Sequence, residues 1–148
     1  MGLKLVSDMP RTSPKPQHSS KSFYVEGKVF SGGGEGAKFI ELPWVIKQIA
    51  EKLGFTPYSG TLNLKMTEVD VSLKKSLKNA RSIEISPAEG FCRGRCFNAY
   101  FMDNLKCAIV IPEVENYPED ILEVIASINL REKFKLEDGD VIEVKIVI

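Results

Sequence analysis

The stretch Thr61-Leu62-Asn63-Leu64-Lys65-Met66 sets Leu62, Leu64 and Met66 in strict alternation with Thr61, Asn63 and Lys65. A two-residue period is the mark of a half-buried strand, because successive side chains leave opposite faces of the pleat. It follows the turn Tyr58-Ser59-Gly60, and the same period returns at the C-terminus. There VIEVKIVI (Val141 to Ile148) follows the turn residues Glu137-Asp138-Gly139-Asp140. Toward the N-terminus, FYVEGKVF (Phe23 to Phe30) reads as a third strand and runs into the glycine-rich Ser31-Gly32-Gly33-Gly34-Glu35-Gly36. Two or three more strands are expected between Phe91 and Pro112, with turns near Arg93-Gly94 and Asp103-Asn104. Ile83 and Ile85 mark a short one.

Only two segments read as helices. Leu42 to Leu53 has Pro43 in its first turn and a stripe of Val45, Ile46, Ile49, Ala50 and Leu53. Gly54 follows as a C-terminal stop. Pro118 to about Ala126 opens with Pro118, Glu119 and Asp120, which suit a helix N-terminus. The lysine-rich stretch from Thr67 to Glu89 has no clear period. Many short strands with two helices predict a mainly β domain, a small closed barrel that leaves no open edge. The regular strand–helix alternation of a doubly wound sheet is missing.

The chain has 148 residues, 43% hydrophobic and 27% charged, with Lys+Arg 20 balancing Asp+Glu 20. That is ordinary for a soluble globular domain, and the zero charge argues against a broadly basic nucleic-acid binder. Residues 1–22 hold three prolines, several serines and Lys4, Arg11, Lys15 and Lys21 against Asp8. Such a segment buries too little apolar surface to offset its ordering, so a disordered tail before a single domain over 23–148 is expected. No apolar run approaches a membrane span or a secretory leader, and the reading is a cytoplasmic protein with no membrane partner. Cys92, Cys96 and Cys107 read as free thiols, since the lone His18 lies in the tail and four zinc ligands cannot be assembled.

Three segments carry possible chemistry. The glycine run lets backbone N–H groups approach an anion, but it is neither common nucleotide fingerprint. Lys38 is followed by Phe39, and Ala37 stands where the dinucleotide motif needs its last glycine. Thr61 and Asn63 share a face opposite Leu62 and Leu64 and offer hard oxygens to a magnesium ion, or simply face solvent. Glu123, set among Ile121, Leu122, Val124 and Ile125, becomes a general base if it faces a pocket and is unremarkable on a solvated face. Arg131 carries a planar fork suited to phosphate or a base edge, or a surface ion pair.

Taken in order, four blocks resemble the archaeal CTP-dependent riboflavin kinases. They are EGKVFSGGGEG (Glu26 to Gly36), LGFTPYSGTLNLK (Leu53 to Lys65), AIVIPE (Ala108 to Glu113) and ILEVIASINLREKFKLEDGDVIEV (Ile121 to Val144). The resemblance implies a six-stranded cradle-loop β-barrel with two short helices. It also implies transfer of the CTP γ-phosphate to the riboflavin 5′-hydroxyl, giving FMN and CDP, by a monomer using one Mg2+ ion. By position it assigns Gly32, Gly33, Gly34, Glu35, Gly36 and Ala37 to the donor nucleotide, with Ile128, Asn129, Leu130 and Arg131 as a second nucleotide segment. Thr61 and Asn63 match the metal ligands, Glu115 and Glu123 the flavin site, and Glu123 the catalytic position. Two positions depart from the family pattern: Ala37 stands where the loop often has arginine, and Glu115 where the flavin site usually has threonine. Some members carry an N-terminal winged-helix domain, for which residues 1–22 leave no room.

Two rival readings follow from the same residues. One is a nucleotide- or flavin-binding barrel without turnover. The other is a nucleic-acid-binding β-domain using Arg93-Gly94-Arg95 beside Phe91 and Phe97, for which a charged hairpin tip is the plainer meaning.

Overall fold

A computed structural model describes residues 21–32, 35–88, 90, 92–102 and 104–148. The strands are β1 (Ser22–Phe30), β2 (Leu62–Lys65), β3 (Ile83–Ile85), β4 (Gly94–Phe101), β5 (Leu105–Pro112), β6 (Ile121–Ile125) and β7 (Val141–Val147). The helices are α1 (Glu35–Phe39), α2 (Pro43–Leu53), α3 (Glu68–Lys75) and α4 (Leu130–Phe134), with a 3-10 turn at Ser76–Asn79. The sheet runs β3-β4-β5-β6-β2-β1-β7, and β7 pairs back onto β4. All the pairings are antiparallel, so six strands close and β3 hangs on the outside of β4. The expected mainly β, six-stranded closed barrel is thus borne out, with four short helices among the described residues where two were expected.

The alternating strands behave as their sequences predict. In β1, Val25 and Val29 point inward, and in β7 Ile142, Val144 and Ile146 do so. Gly27 lies between those two valines, where a β-carbon would stand 2.7 Å from Leu64 Cβ; glycine permits β1 and β2 to close at that point. Pairing starts earlier than the sequence indicated. Ser22 opens β1, and Lys21 and Ile148 exchange two backbone hydrogen bonds of 2.8 and 3.0 Å. A ladder needs only backbone groups, so polar side chains did not prevent it. The tail expected over the preceding residues lies outside the described residues.

The second predicted helix does not form. Ile121–Ile125 is strand β6, paired with β2 on one side and β5 on the other. Two apolar clusters explain the misreading. One fills the barrel with Leu122, Val124, Phe97, Phe101 and Ile109 among others. The second lies between the barrel's outer wall and α1–α2, joining Phe39, Ile40, Val45 and Ile49 to Cys96, Ala108, Val110 and Ile125. A strand covered on both faces loses its alternation and reads as a continuous apolar run, which periodicity cannot tell from a buried helix. The ambiguous lysine-rich stretch forms α3, the 3-10 turn and β3. No hairpin turns at Arg93-Gly94: Gly94 begins β4, which returns to β3.

The three cysteines are free thiols. Burial pushes both Cys96 and Cys107 up to about 12, which leaves them inert as thiolates. Among the described residues no helix is long and apolar enough to cross a membrane.

Candidate active site

Parity along the barrel wall brings the polar residues together. Asn63 on β2 stands directly across from Glu123 on β6, which in turn faces Val110 on β5. Val110 and Ile125 belong to the cluster under α1–α2, so this row of side chains points away from the barrel interior. At the β2 end the covering residue is Gly36, in the first turn of α1. Glu123 is thus buried beside the start of α1, and its bland alternative, a solvated face, does not apply.

Every oxygen of the Glu123 carboxylate is held. Oε2 accepts from the Gly36 backbone N–H at 2.9 Å and from the Tyr117 hydroxyl in a short hydrogen bond. Oε1 accepts from Thr61 Oγ1 at 2.8 Å. Thr61 Oγ1 also lies 3.1 Å from Asn63 Oδ1, and Asn63 Nδ2 donates to the Gly32 carbonyl at 2.7 Å. A hydroxyl has one proton, and the nearer carboxylate takes it. The lone pairs of Thr61 Oγ1 and Asn63 Oδ1 then stay available beside Glu123 Oε1.

These residues fit a magnesium ion. The set is one hydroxyl and one amide oxygen beside the buried carboxylate, hard ligands for a cation that keeps waters and substrate phosphates in its shell. Among the described residues no group of three His, Cys, Asp or Glu offers a more highly charged alternative. Gly36 has a specific reason to be glycine: a β-carbon there would stand 2.6 Å from the Glu123 carboxyl carbon and both oxygens. Gly36→Ala should push the carboxylate off its donors and lower the unfolding free energy by about 1–3 kcal/mol. Urea denaturation checks this; a change within about 0.5 kcal/mol contradicts the close approach.

The segment Ile128 to Arg131, expected at the nucleotide, lines a cleft of about 190 Å³ together with Tyr58, Ser59, Gly60 and Thr61. Leu130 belongs to the barrel core, and Ile128 packs against it. Asn129 caps α4 by accepting from Glu132 N at 3.1 Å and donates to the Tyr58 hydroxyl at 3.4 Å. Arg131 Nη2 donates to Asp138 Oδ1 at 2.7 Å and Nη1 to Ser31 Oγ at 3.3 Å. The Arg131 and Ser31 hydrogen bonds hold the Asp138 carboxyl below the usual carboxylate range. Arg131 is therefore tied to the root of the glycine run.

The other predicted residues are less tightly gathered. Gly33 and Gly34 lie outside the described residues, and Glu35 opens α1. Ala37 is half-buried in α1 and Lys38 exposed. Glu115 sits exposed in a turn two residues before Tyr117, and the carboxylate cluster does not include it. Sequence reasoning missed Tyr117. Its hydroxyl reaches Glu123, and its ring lines a second cleft of about 460 Å³ with Lys74, Lys78, Arg95, Ile111 and Pro112. The only sequence signal was an aromatic with a polar tip beside a proline, which is too common to single out.

The family model CTP-dep_RFKase, described as "Domain of unknown function DUF120", matches residues 29–146. The riboflavin kinase of Archaeoglobus fulgidus is 41% identical over 130 residues, covering 84% of this chain and 54% of that protein. The riboflavin kinase of Methanococcoides burtonii is 43% identical over 130 residues, covering 82% and 55%. For that of Pyrobaculum islandicum the figures are 41% over 132 residues, 84% and 61%. The chain spans between half and two thirds of the length of these curated relatives.

Proposed function

Because the chain belongs to the DUF120 family of CTP-dependent riboflavin kinases, we propose that it transfers the γ-phosphate of CTP to the 5′-hydroxyl of riboflavin. The observation that supports this most is the position of Glu123 between two clefts. Thr61 lines the first and Tyr117 the second, and both donate to its carboxylate. A single buried carboxylate thus stands where a phosphate donor and a hydroxyl acceptor would meet. In this reading CTP occupies the cleft of Thr61 and Ile128 to Arg131, and the flavin ring the apolar cleft beside Tyr117. Glu115, exposed at the rim of that loop, contributes little to the flavin.

Phosphoryl transfer asks a protein chiefly for alignment and charge neutralisation. The riboflavin 5′-oxygen bonds to the γ-phosphorus, and the bond to the β,γ-bridging oxygen breaks, releasing CDP. Glu123 takes the hydroxyl proton. Thr61 and Asn63, with Glu123 behind them, would hold a magnesium ion, which when bound neutralises phosphate charge. The N–H groups of the Gly32 to Ala37 run, other than that of Gly36, which Glu123 holds, would bind the triphosphate, and Arg131, released from Asp138, would offset its developing charge. Neutral ligands suit a metal whose nucleotide already brings the negative charge. Contacts from the backbone of Ile128 to Leu130 would read the cytosine edge.

Incubating the protein with riboflavin and Mg2+ and either CTP or ATP tests the reading. FMN is expected with CTP, together with one CDP per FMN. Equal turnover with ATP removes the nucleotide assignment. Flavin or nucleotide binding without FMN favours the non-catalytic barrel, for which Ala37 and Glu115 at departing positions are the supporting observation.

A further inference from the structure

Three polar or charged side chains are buried among the described residues: Glu123 at 1% exposure, Asn63 at 6% and Lys74 at 9%. The first two form the candidate site. The third belongs to α3, a segment in which the sequence offered no clear period. Its ammonium lies 2.7 Å from the Ile121 carbonyl and 3.4 Å from those of Pro118 and Glu119. An ammonium has three donors, and three carbonyls receive them. The same nitrogen sits 5.1 Å from the centre of the Tyr117 ring.

An apolar side chain would fill this place without the cost of desolvating a charge. That cost is visible: burial lowers the Lys74 pKa to about 8, against the opposing pull of Asp120, Glu123 and Glu119. What the ammonium supplies and an apolar side chain would not is a hold on the carbonyls of Pro118, Glu119 and Ile121, at a turn where Pro118 has no N–H to give and the Met66 N–H holds the Asp120 carbonyl at 2.7 Å. This segment carries Tyr117 at one end and leads into β6 at the other. A carboxylate turns easily about its last torsion, which is broad and two-fold. Of the three donors fixing Glu123, only Tyr117 comes from a turn rather than from β2's edge or α1.

We propose that Lys74 is a positioning residue for the reaction: it anchors the 117–121 segment so that the Tyr117 hydroxyl stays on Glu123 Oε2 and the carboxylate keeps its orientation. The inference rests on the phosphotransfer reading above. Lys74 lines the cleft of Tyr117, and it acts on the carboxylate through Tyr117.

Kinetics and amide exchange test it together. Lys74→Met and Tyr117→Phe should each lower kcat for FMN formation roughly 10- to 100-fold, with KM for CTP changed less than about twofold. In the Tyr117→Phe background, Lys74→Met should cost much less than it does alone, because both act on one carboxylate. Additive losses, or an unchanged kcat in Lys74→Met, overturn the proposal. Tyr117→Phe keeps the ring and its packing, so a normal kcat in that variant is equally fatal even if Lys74→Met does not fold. Hydrogen exchange gives a readout apart from turnover: Lys74→Met should speed exchange at 117 and 119–121 by about tenfold or more and leave β1 and β7 unchanged. Unchanged exchange there removes the anchor. Wild-type protein that makes no FMN sinks the reaction reading instead, and the two failures are distinct.

Discussion

Glu123→Gln should lower kcat for the proposed FMN formation by roughly 10²- to 10⁴-fold, the range associated with a positioned general base, while the barrel stays folded. The size follows from what surrounds the carboxylate. Gly36 N–H, the Tyr117 hydroxyl and the Thr61 hydroxyl all donate to it. A glutamine can satisfy only part of that set. The Gly36 N–H cannot reverse, so the amide oxygen must face Gly36 and the amide nitrogen must face Thr61. Thr61 then accepts and turns its proton to Asn63 Oδ1, which lies 3.1 Å away. The variant fits the space, yet it has no base and a metal ligand pair whose lone pairs are redirected. Steady-state kinetics with a thermal melt separates the effects. A kcat within a few-fold of wild type would refute the base assignment, and a loss confined to riboflavin KM would reduce Glu123 to substrate positioning.

The second large effect is expected for Thr61→Ala combined with Asn63→Ala. Magnesium-dependent turnover should fall by roughly 10³-fold or more, because charge stabilisation by the ion is worth several kcal/mol and each 1.36 kcal/mol is a factor of ten. The double variant removes both side-chain oxygens of the proposed ligand pair. It also removes the 2.7 Å bond from Asn63 to the Gly32 carbonyl, which moors the start of the glycine run. That second loss is a stability cost of about 1–2 kcal/mol, too small to unfold an otherwise intact barrel. Titrating activity against Mg2+ is the measurement. Near-normal FMN production at saturating CTP would remove the metal assignment altogether.

Both predictions stand on residues that the sequence brought forward, and the reason is local. Thr61 and Asn63 lie two apart on an alternating strand, so their common face follows from the pleat alone. Glu123 was set in the wrong element, a helix where the chain forms strand β6. Its neighbours Ile121, Leu122, Val124 and Ile125 form an apolar run because the barrel core covers one face and α1–α2 the other. Nothing within five residues carries that information. Lys74 and Tyr117 stayed hidden for a related reason. The ammonium meets carbonyls more than 40 positions away, and lysine in a lysine-rich stretch is normally solvated.

By itself, the sequence determined the alternating strands at the two ends, the helix over Pro43–Leu53, a mainly β class, and four ordered blocks with a family likeness. Those features depend on short-range periodicity and on residue identity, which are present in the chain before it folds. Only the tertiary structure decided that the barrel's outer wall is buried, that β6 is a strand, and that Asn63, Glu123, Gly36 and Tyr117 meet at one point. Those outcomes depend on strand register across long loops and on which surface a helix comes to cover. They are non-local packing choices, and only the closed sheet makes them.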